Sequence, residues 1–164
     1  MKAENTNGKW QKRFMDMAFL CASWSKDPST QVGAVIADGN SFVSMGFNGY
    51  PHGVEDREDP RSIKYLKTIH AEMNAILHSN RDIRGCSLYA THLPCPNCMA
   101  NIIQKRISTV YIPKQSEDYL SRWGEKVAVS MGMADEVGIK IHEVEGYDAE
   151  NPPALVNPCQ CNHN

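Results

Sequence analysis

Hydrophobic residues follow a helical period in four stretches of the chain. In the first stretch the apolar side chains recur at spacings of three and four and form one stripe: Trp10, Phe14, Met17, Ala18 and Cys21. This stripe predicts a helix over 10–26 that ends at Asp27-Pro28, because the residue before a proline avoids helical geometry. The same period predicts three more helices, over 69–79, over 95–105 and within 118–133.

Five further stretches show the short apolar or alternating pattern that is typical of strands. The first two flank Asp38-Gly39, a dipeptide that favours the tight turn of a hairpin. The later strands alternate with helices, so they need parallel crossover connections. The predicted strands are 32–37, 41–46, 87–91, 109–112 and 138–144, and the polar stretch 46–60 is a predicted loop. The order predicts an α/β fold with a mixed five-stranded sheet and helices on both faces.

Composition and charge narrow the class of protein. The chain has 164 residues, of which 41% are hydrophobic and 22% charged, as is typical of a globular protein. We expect one domain over 1–145 and a polar tail over 146–164. The 17 basic and 19 acidic residues give a net charge of −2, which disfavours binding to a nucleic acid polymer.

Hydropathy and cysteine content suggest a cellular location. No apolar run approaches the ~20 residues of a membrane span, and the N-terminus is the polar MKAENTNGKW, so we expect neither a membrane segment nor a secretory signal. The expected location is the reducing cytoplasm, where cysteines bind metals or remain thiols. The cysteines are Cys21, Cys86, Cys95, Cys98, Cys159 and Cys161.

Two short motifs carry the candidate chemistry. The first is His70-Ala71-Glu72, and the second is Pro94-Cys95-Pro96-Asn97-Cys98, each at the start of a predicted helix. One imidazole and two thiols provide the three protein ligands of a catalytic zinc site, with a fourth position left for water. The pattern H-x-E…P-C-x-x-C is the signature of zinc deaminases, in which the glutamate is not a ligand but a general acid and base. We therefore expect Glu72 to move protons while activated water attacks C4 of a cytosine ring.

Other interpretations of these residues remain open at the level of sequence. A C-x-x-C pair also occurs in structural zinc sites and in redox sites, and the tail residues Cys159, Cys161 and His163 offer further ligands. If these residues form a structural zinc site, the chain is a non-catalytic zinc module that serves regulation or assembly. Glu72 distinguishes the two possibilities, because a structural site has no need of a general base at that position.

Further stretches of the chain resemble deoxycytidylate (dCMP) deaminases. They are 25–36 (SKDPSTQVGAVI), 46–54 (GFNGYPHGV), Lys64-Tyr65 and 74–76 (NAI), and the resemblance covers roughly residues 10–112. It implies a three-layer cytidine-deaminase-like fold, a catalytic Zn²⁺ and the conversion of dCMP to dUMP for thymidylate synthesis. It also implies a homohexamer that dCTP activates and dTTP inhibits, with Mg²⁺ accompanying the bound effector. Cytidine, dCTP and 5-hydroxymethyl-dCMP remain alternative substrates.

The resemblance assigns roles to residues outside the two motifs. Asn48 is a candidate for binding the sugar or the base edge, since its amide both donates and accepts; otherwise it is a turn residue before Gly49. Lys26 is a candidate for the 5′-phosphate, or else a solvated lysine at a helix end, and Tyr119 is a further phosphate candidate. The main chain at Ala90, Thr91 and His92 is expected to hold the base. The candidates for effector binding or a subunit interface are Gly49, Tyr50, His52 and Arg81.

Overall fold

The computed structural model describes residues 8–154 and contains one five-stranded sheet. The strands are β1 (Gly33–Asp38), β2 (Ser41–Phe47), β3 (Ser87–Ala90), β4 (Thr109–Lys114) and β5 (Lys140–Asp148). Their order across the sheet is β2-β1-β3-β4-β5. Strand β1 is antiparallel to β2 and β3, whereas β3, β4 and β5 are parallel to one another. The prediction of a mixed five-stranded sheet is confirmed.

Helices cover both faces of the sheet. They are α1 (Lys9–Ala22), α2 (Arg61–Lys67), α3 (Ala71–Leu77), α4 (Pro96–Gln104), α5 (Glu117–Arg122) and α6 (Gly124–Glu136). Helix α1 packs on a cluster that includes Val35 and Tyr89, while α3, α4 and α6 pack on the opposite face with Ile36 and Leu88. Neighbouring residues of β1 contribute to both clusters because side chains alternate along a strand. The three-layer α/β/α arrangement is therefore as predicted, and no helix of the described part is long and apolar enough to cross a membrane.

The end of α1 and the start of α3 differ from the predicted positions, and local backbone contacts accompany both differences. Helix α1 ends at Ala22 rather than at residue 26. Beyond it, Oδ1 of Asp27 accepts from the backbone N–H groups of Ser29 (2.8 Å) and Thr30 (3.0 Å), a pattern typical of a turn. Helix α3 begins at Ala71 rather than at residue 69, since Ile69 pairs with Gly49 in an isolated antiparallel bridge.

Larger differences lie in α2 and in the C-terminal part of the described chain. The sequence did not predict α2, none of whose residues is buried. The stretch 118–133 contains part of two helices, because Ser116 caps α5 by accepting from the backbone N–H of Tyr119 (3.1 Å) and α6 begins only at Gly124. Strand β5 continues to Asp148, which pairs with Lys114. The strand therefore extends beyond its predicted end at residue 144 and into the stretch predicted as a tail.

Close packing fixes α3, the helix that carries Glu72, on β2. The hydroxyl of Ser44 donates to the carbonyl of Ala75 (2.7 Å), and the amide of Asn74 donates to the carbonyl of Phe47 (2.8 Å). Gly46 lies between these contacts, and a Cβ atom there would lie 2.4 Å from the backbone nitrogen of Ala75. Only glycine permits this approach, so the distance between helix and sheet depends on Gly46.

We expect Gly46→Ala to lower the free energy of unfolding by about 1–3 kcal/mol, because the added methyl group meets backbone atoms rather than a flexible side chain. Urea denaturation measures the difference. Gly132→Ala in α6 is the matched control, since no atom lies within 4 Å of its added Cβ and alanine favours helix by about 0.5–1 kcal/mol. Equal midpoints for wild type and Gly46→Ala would contradict the packing argument.

Candidate active site

Three potential metal ligands meet where two helices begin. His70 is the N-cap residue of α3, Cys95 is the N-cap residue of α4, and Cys98 lies in the first turn of α4. Nδ1 of His70 is 3.5 Å from Sγ of Cys95 and 3.5 Å from Sγ of Cys98. The three ligand atoms lie within 4.8 Å of one another, and they form the one group of at least three such residues within 8–154 that is arranged to hold a metal ion.

The donor set and its spacing fit zinc. Around a tetrahedral zinc ion, a nitrogen ligand at about 2.0–2.1 Å and a sulfur ligand at about 2.3 Å are separated by about 3.5 Å, which is the separation found here. Three protein ligands leave the fourth position open, as in catalytic sites. His70 is exposed, so solvent reaches this side of the site. The tail residues Cys159, Cys161 and His163, which the sequence offered as further ligands, lie outside the described residues.

Burial and hydrogen bonding shift the pKa values of the two thiols in opposite directions. The pKa of Cys95 is lowered to about 4, chiefly by a hydrogen bond from the Cys98 thiol and further by a hydrogen bond with His70. The pKa of Cys98 is raised because it shares a proton with Cys95 and because it is buried. The hydrogen-bonded pair therefore favours one thiolate over two. A divalent cation makes the second thiolate favourable, since metal ligands must lose their protons.

Glu72 lies beside these ligands and is 4% exposed. Burial raises the pKa of its carboxyl, against the effects of its backbone hydrogen bond and of the neighbouring imidazole of His70. The carboxyl also exchanges a hydrogen bond with Cys98. A carboxyl whose pKa is raised holds a proton more readily than a solvated one, so the position suits general acid–base chemistry.

Two buried polar side chains hold the loop that leads from β3 into Cys95. The hydroxyl of Ser130 in α6 donates to the carbonyl of Pro94 (2.6 Å) and is fully buried. Gln115, which follows β4, accepts from the backbone N–H of Leu93 (3.4 Å) and donates to the carbonyl of Pro113 (2.7 Å). Elements beyond β4 thus fix the peptide that immediately precedes a candidate ligand.

We expect Ser130→Ala to weaken zinc retention roughly tenfold, because the carbonyl of Pro94 loses its buried donor next to Cys95. Competition against a chromogenic chelator measures this affinity. Ser44→Ala is the matched control, as Ser44 is also buried and donates to a main-chain carbonyl, that of Ala75. Both variants should lose about 1 kcal/mol of stability, but only Ser130→Ala should release zinc more readily. Equal zinc affinities would limit Ser130 to a role in stability.

The structure gives Asn48 and Lys26 partners other than a substrate. The amide of Asn48 donates to the carbonyl of Thr30 (2.9 Å) and accepts from the backbone N–H of Val32 (2.8 Å), so it fastens the segment before β1. The ammonium of Lys26 is paired with Asp56 at 2.6 Å, and its side chain is 82% exposed. Their roles in binding substrate remain predictions.

The predicted base-holding segment lies at the end of β3 that leads to Cys95. Ala90 pairs with Ala34 of β1, and the backbone N–H of Thr91 donates to the carbonyl of Gly33 (3.0 Å), so that N–H already has an acceptor. The ring of His92 lies 3.3 Å from the hydroxyl of Thr91, and burial lowers the pKa of His92. Contact of this segment with a base remains a prediction.

The four candidates for effector binding or an interface each lie in different surroundings. Gly49 exchanges two backbone hydrogen bonds with Ile69, the residue before His70. The hydroxyl of Tyr50 donates to Asp59 (2.9 Å), which also pairs with Lys67. His52 is exposed in a turn. Arg81 pairs with Asp38 (2.8 Å) at the end of β1 that points away from the Cys95 loop, so it lies remote from the candidate metal ligands.

Residues of α5 and α6 approach the site, although sequence reasoning gave these helices little weight. The ring of Tyr119 lies 5.7 Å from that of His92. Burial raises the pKa of Tyr119 to about 12, and the negative charges of Glu72 and Cys95 act in the same direction. Ser130 was missed entirely, although its spacing of four from the buried Ala134 in α6 marks an inward-facing position.

Comparison with known proteins places the chain in a family. Residues 8–114 match the cytidine and deoxycytidylate deaminase zinc-binding region. An uncharacterized deaminase in the luxG 3′ region of Aliivibrio fischeri is 62% identical over 135 residues, which are 81% of this chain and 92% of that protein. The deoxycytidylate deaminase of Mus musculus is 43% identical over 112 residues, which are 62% of this chain and 63% of that protein.

Among solved structures, the dCMP deaminase of cyanophage S-TIM5 in complex with dCMP and dUMP has the same fold. Its TM-score is 0.70 at 24% sequence identity, and the match covers 87% of this chain and 98% of that one. The fold, the matched zinc-binding region and the clustered ligands agree with one another. The chain therefore belongs to the family of cytidine and deoxycytidylate deaminases.

Proposed function

We propose that this protein hydrolyses dCMP to dUMP and ammonia in a zinc-dependent reaction. The observation that carries the proposal is a buried carboxyl, that of Glu72, beside a His70/Cys95/Cys98 cluster whose ligand atoms lie within 4.8 Å of one another. Relatives named deoxycytidylate deaminase support the choice of substrate, as does the structural neighbour in complex with dCMP and dUMP.

The residues of the chain account for the movement of protons. Zinc held by His70, Cys95 and Cys98 supplies Lewis-acid activation of a water molecule. The carboxylate of Glu72 accepts a proton as the water oxygen bonds to C4 of the cytosine ring, and it delivers a proton to N3. Glu72 then transfers the second proton of the water to the amino nitrogen, the C4–N bond breaks and ammonia leaves. The products are dUMP and ammonia, so one water molecule is consumed in each turnover.

The surroundings of Glu72 favour this role over that of a structural residue. Burial makes the charged carboxylate less favourable and raises its pKa, so the group can carry a proton between the two steps. A zinc module without catalysis has no use for a buried acid at this position, and burial of an unneeded carboxyl lowers stability. The non-catalytic alternative is therefore the weaker one.

A panel of substrates tests the proposal. Ammonia release is measured with dCMP, dCTP, deoxycytidine, cytidine and 5-hydroxymethyl-dCMP, on protein whose zinc content is known. We expect the highest kcat/KM with dCMP. Faster turnover of deoxycytidine than of dCMP would reject recognition of a monophosphate, and faster turnover of 5-hydroxymethyl-dCMP or dCTP would assign one of the alternative substrates. Absence of ammonia with every compound would favour the non-catalytic zinc module.

The wider role rests on the resemblance to dCMP deaminases. It comprises supply of dUMP for thymidylate synthesis in the cytoplasm, a homohexameric assembly, activation by dCTP and inhibition by dTTP, with Mg²⁺ bound to the effector. Repeating the dCMP assay with each effector, with and without Mg²⁺, tests the regulation. Light scattering of the same samples gives the oligomeric state. Unchanged rates and a monomeric mass would reject this part of the proposal.

A further inference from the structure

A nucleoside monophosphate needs a cation at the rim of the site, and the cation that the sequence suggested is engaged elsewhere. Lys26 is paired with Asp56 at 2.6 Å on the exposed side of the loop after α1. Arg81 is paired with Asp38 at the opposite end of the sheet. A phosphate carries about two negative charges at neutral pH, so its recognition requires a positive side chain whose charge is not already matched.

Helix α6 provides such a side chain. Ser130 of α6 donates to the carbonyl of Pro94, so this face of the helix is directed at the loop that carries Cys95. Lys126 lies four residues before Ser130, and positions four apart lie on the same helix face. Lys126 therefore lies on the side of α6 that faces the loop leading into Cys95, one turn nearer to the start of the helix.

The ammonium of Lys126 is held in place but remains available to an anion. It lies 4.5 Å from the centroid of the Trp123 ring, a cation–π contact that restricts its position. Lys126 is exposed, and no carboxylate among the described residues forms an ion pair with it. A nucleotide phosphate could bind to this ammonium without first displacing an acidic partner.

We propose that Lys126 binds the 5′-phosphate of the substrate and so determines specificity for a nucleoside monophosphate over a free nucleoside. The proposal rests on the function proposed above, and it identifies the residue that distinguishes dCMP from deoxycytidine. Lys126 lies beyond residues 8–114, the part of the chain that matches the zinc-binding region of the family. Specificity for the phosphate is then supplied by a helix outside the segment that supplies the zinc ligands.

The test compares kcat/KM for dCMP and deoxycytidine in the wild type and in Lys126→Met, Lys126→Arg and Lys140→Met. We expect Lys126→Met to lose about 10–100-fold with dCMP, the effect of removing a charged hydrogen bond, and to change less than about twofold with deoxycytidine. Lys126→Arg should retain most of the activity with dCMP, because arginine also binds phosphate. Lys140 begins β5 at the end of the sheet remote from the Cys95 loop, so Lys140→Met should behave as the wild type.

Each other outcome overturns the assignment in a distinguishable way. Equal losses with both substrates would show that Lys126 supports the fold rather than the phosphate. A selective loss of dCMP activity in Lys26→Met, with none in Lys126→Met, would move the phosphate to Lys26. If the wild type prefers dCMP and Lys126→Met keeps that preference, only the role of Lys126 is rejected. If the wild type prefers deoxycytidine, the proposed function is rejected together with it.

Discussion

Replacement of Glu72 by glutamine will lower the rate of dCMP deamination by about 10²–10⁴-fold while the protein keeps its zinc. Glutamine has nearly the shape of glutamate, so the buried position remains filled and the start of α3 remains folded. It cannot accept a proton from water or return one to the ring and the amino group. The expected loss therefore appears in kcat, with metal content unchanged.

Steady-state ammonia release and zinc quantification on the same preparation measure this effect. Glu136→Gln is a suitable control, because it makes the same chemical change at a residue that is exposed at the end of α6. Near-normal turnover of Glu72→Gln with full zinc would remove the general acid and base from the proposal. Loss of zinc in this variant would instead indicate that Glu72 supports the ligands.

The sequence predicted the sheet well because its signals are local. The β-branched run before Asp38-Gly39 and the regular alternation of later strands with helices are visible in short windows, and they led to the observed mixed sheet. Helix α2 gave no such signal, since none of its residues is buried. It is tied to the rest of the chain through Lys64 with Asp27 and Lys67 with Asp59, and these distant pairings cannot be deduced from periodicity.

The residues of the candidate site likewise fall into two groups: those with a local sequence signal and those placed by tertiary packing. His70, Glu72, Cys95 and Cys98 belong to two short motifs, each at a helix start, which together form the zinc-deaminase signature, so the sequence suggested that they meet. The predicted role of Lys26 depended on what else lies within its reach, and the structure gives it Asp56. Residues of α5 and α6 approach the site only through tertiary packing.

Removal of one candidate zinc ligand, Cys98, is expected to have the second large effect on activity. We expect Cys98→Ala to reduce zinc from near-stoichiometric to background levels and to abolish deamination. The variant keeps only His70 and Cys95, whereas structural and catalytic zinc sites use at least three protein ligands. It also removes the hydrogen bond that lowers the pKa of Cys95, so the remaining thiolate is less favoured and metal affinity falls further.

Thermal unfolding with and without a chelator distinguishes loss of metal from loss of fold. Zinc present at about a thousandfold over its Kd stabilises the native state by about 4 kcal/mol, so a chelator should lower the Tm of the wild type and leave that of Cys98→Ala unchanged. Cys86→Ala is the matched control: Cys86 is equally buried but lies just before β3, at the end of that strand remote from Cys95. It should lose some stability through the small cavity and keep both its zinc and its response to chelator. A Cys98→Ala protein that still binds zinc and releases ammonia would show that the ion does not depend on this thiol, and the proposed catalytic centre would have to be abandoned.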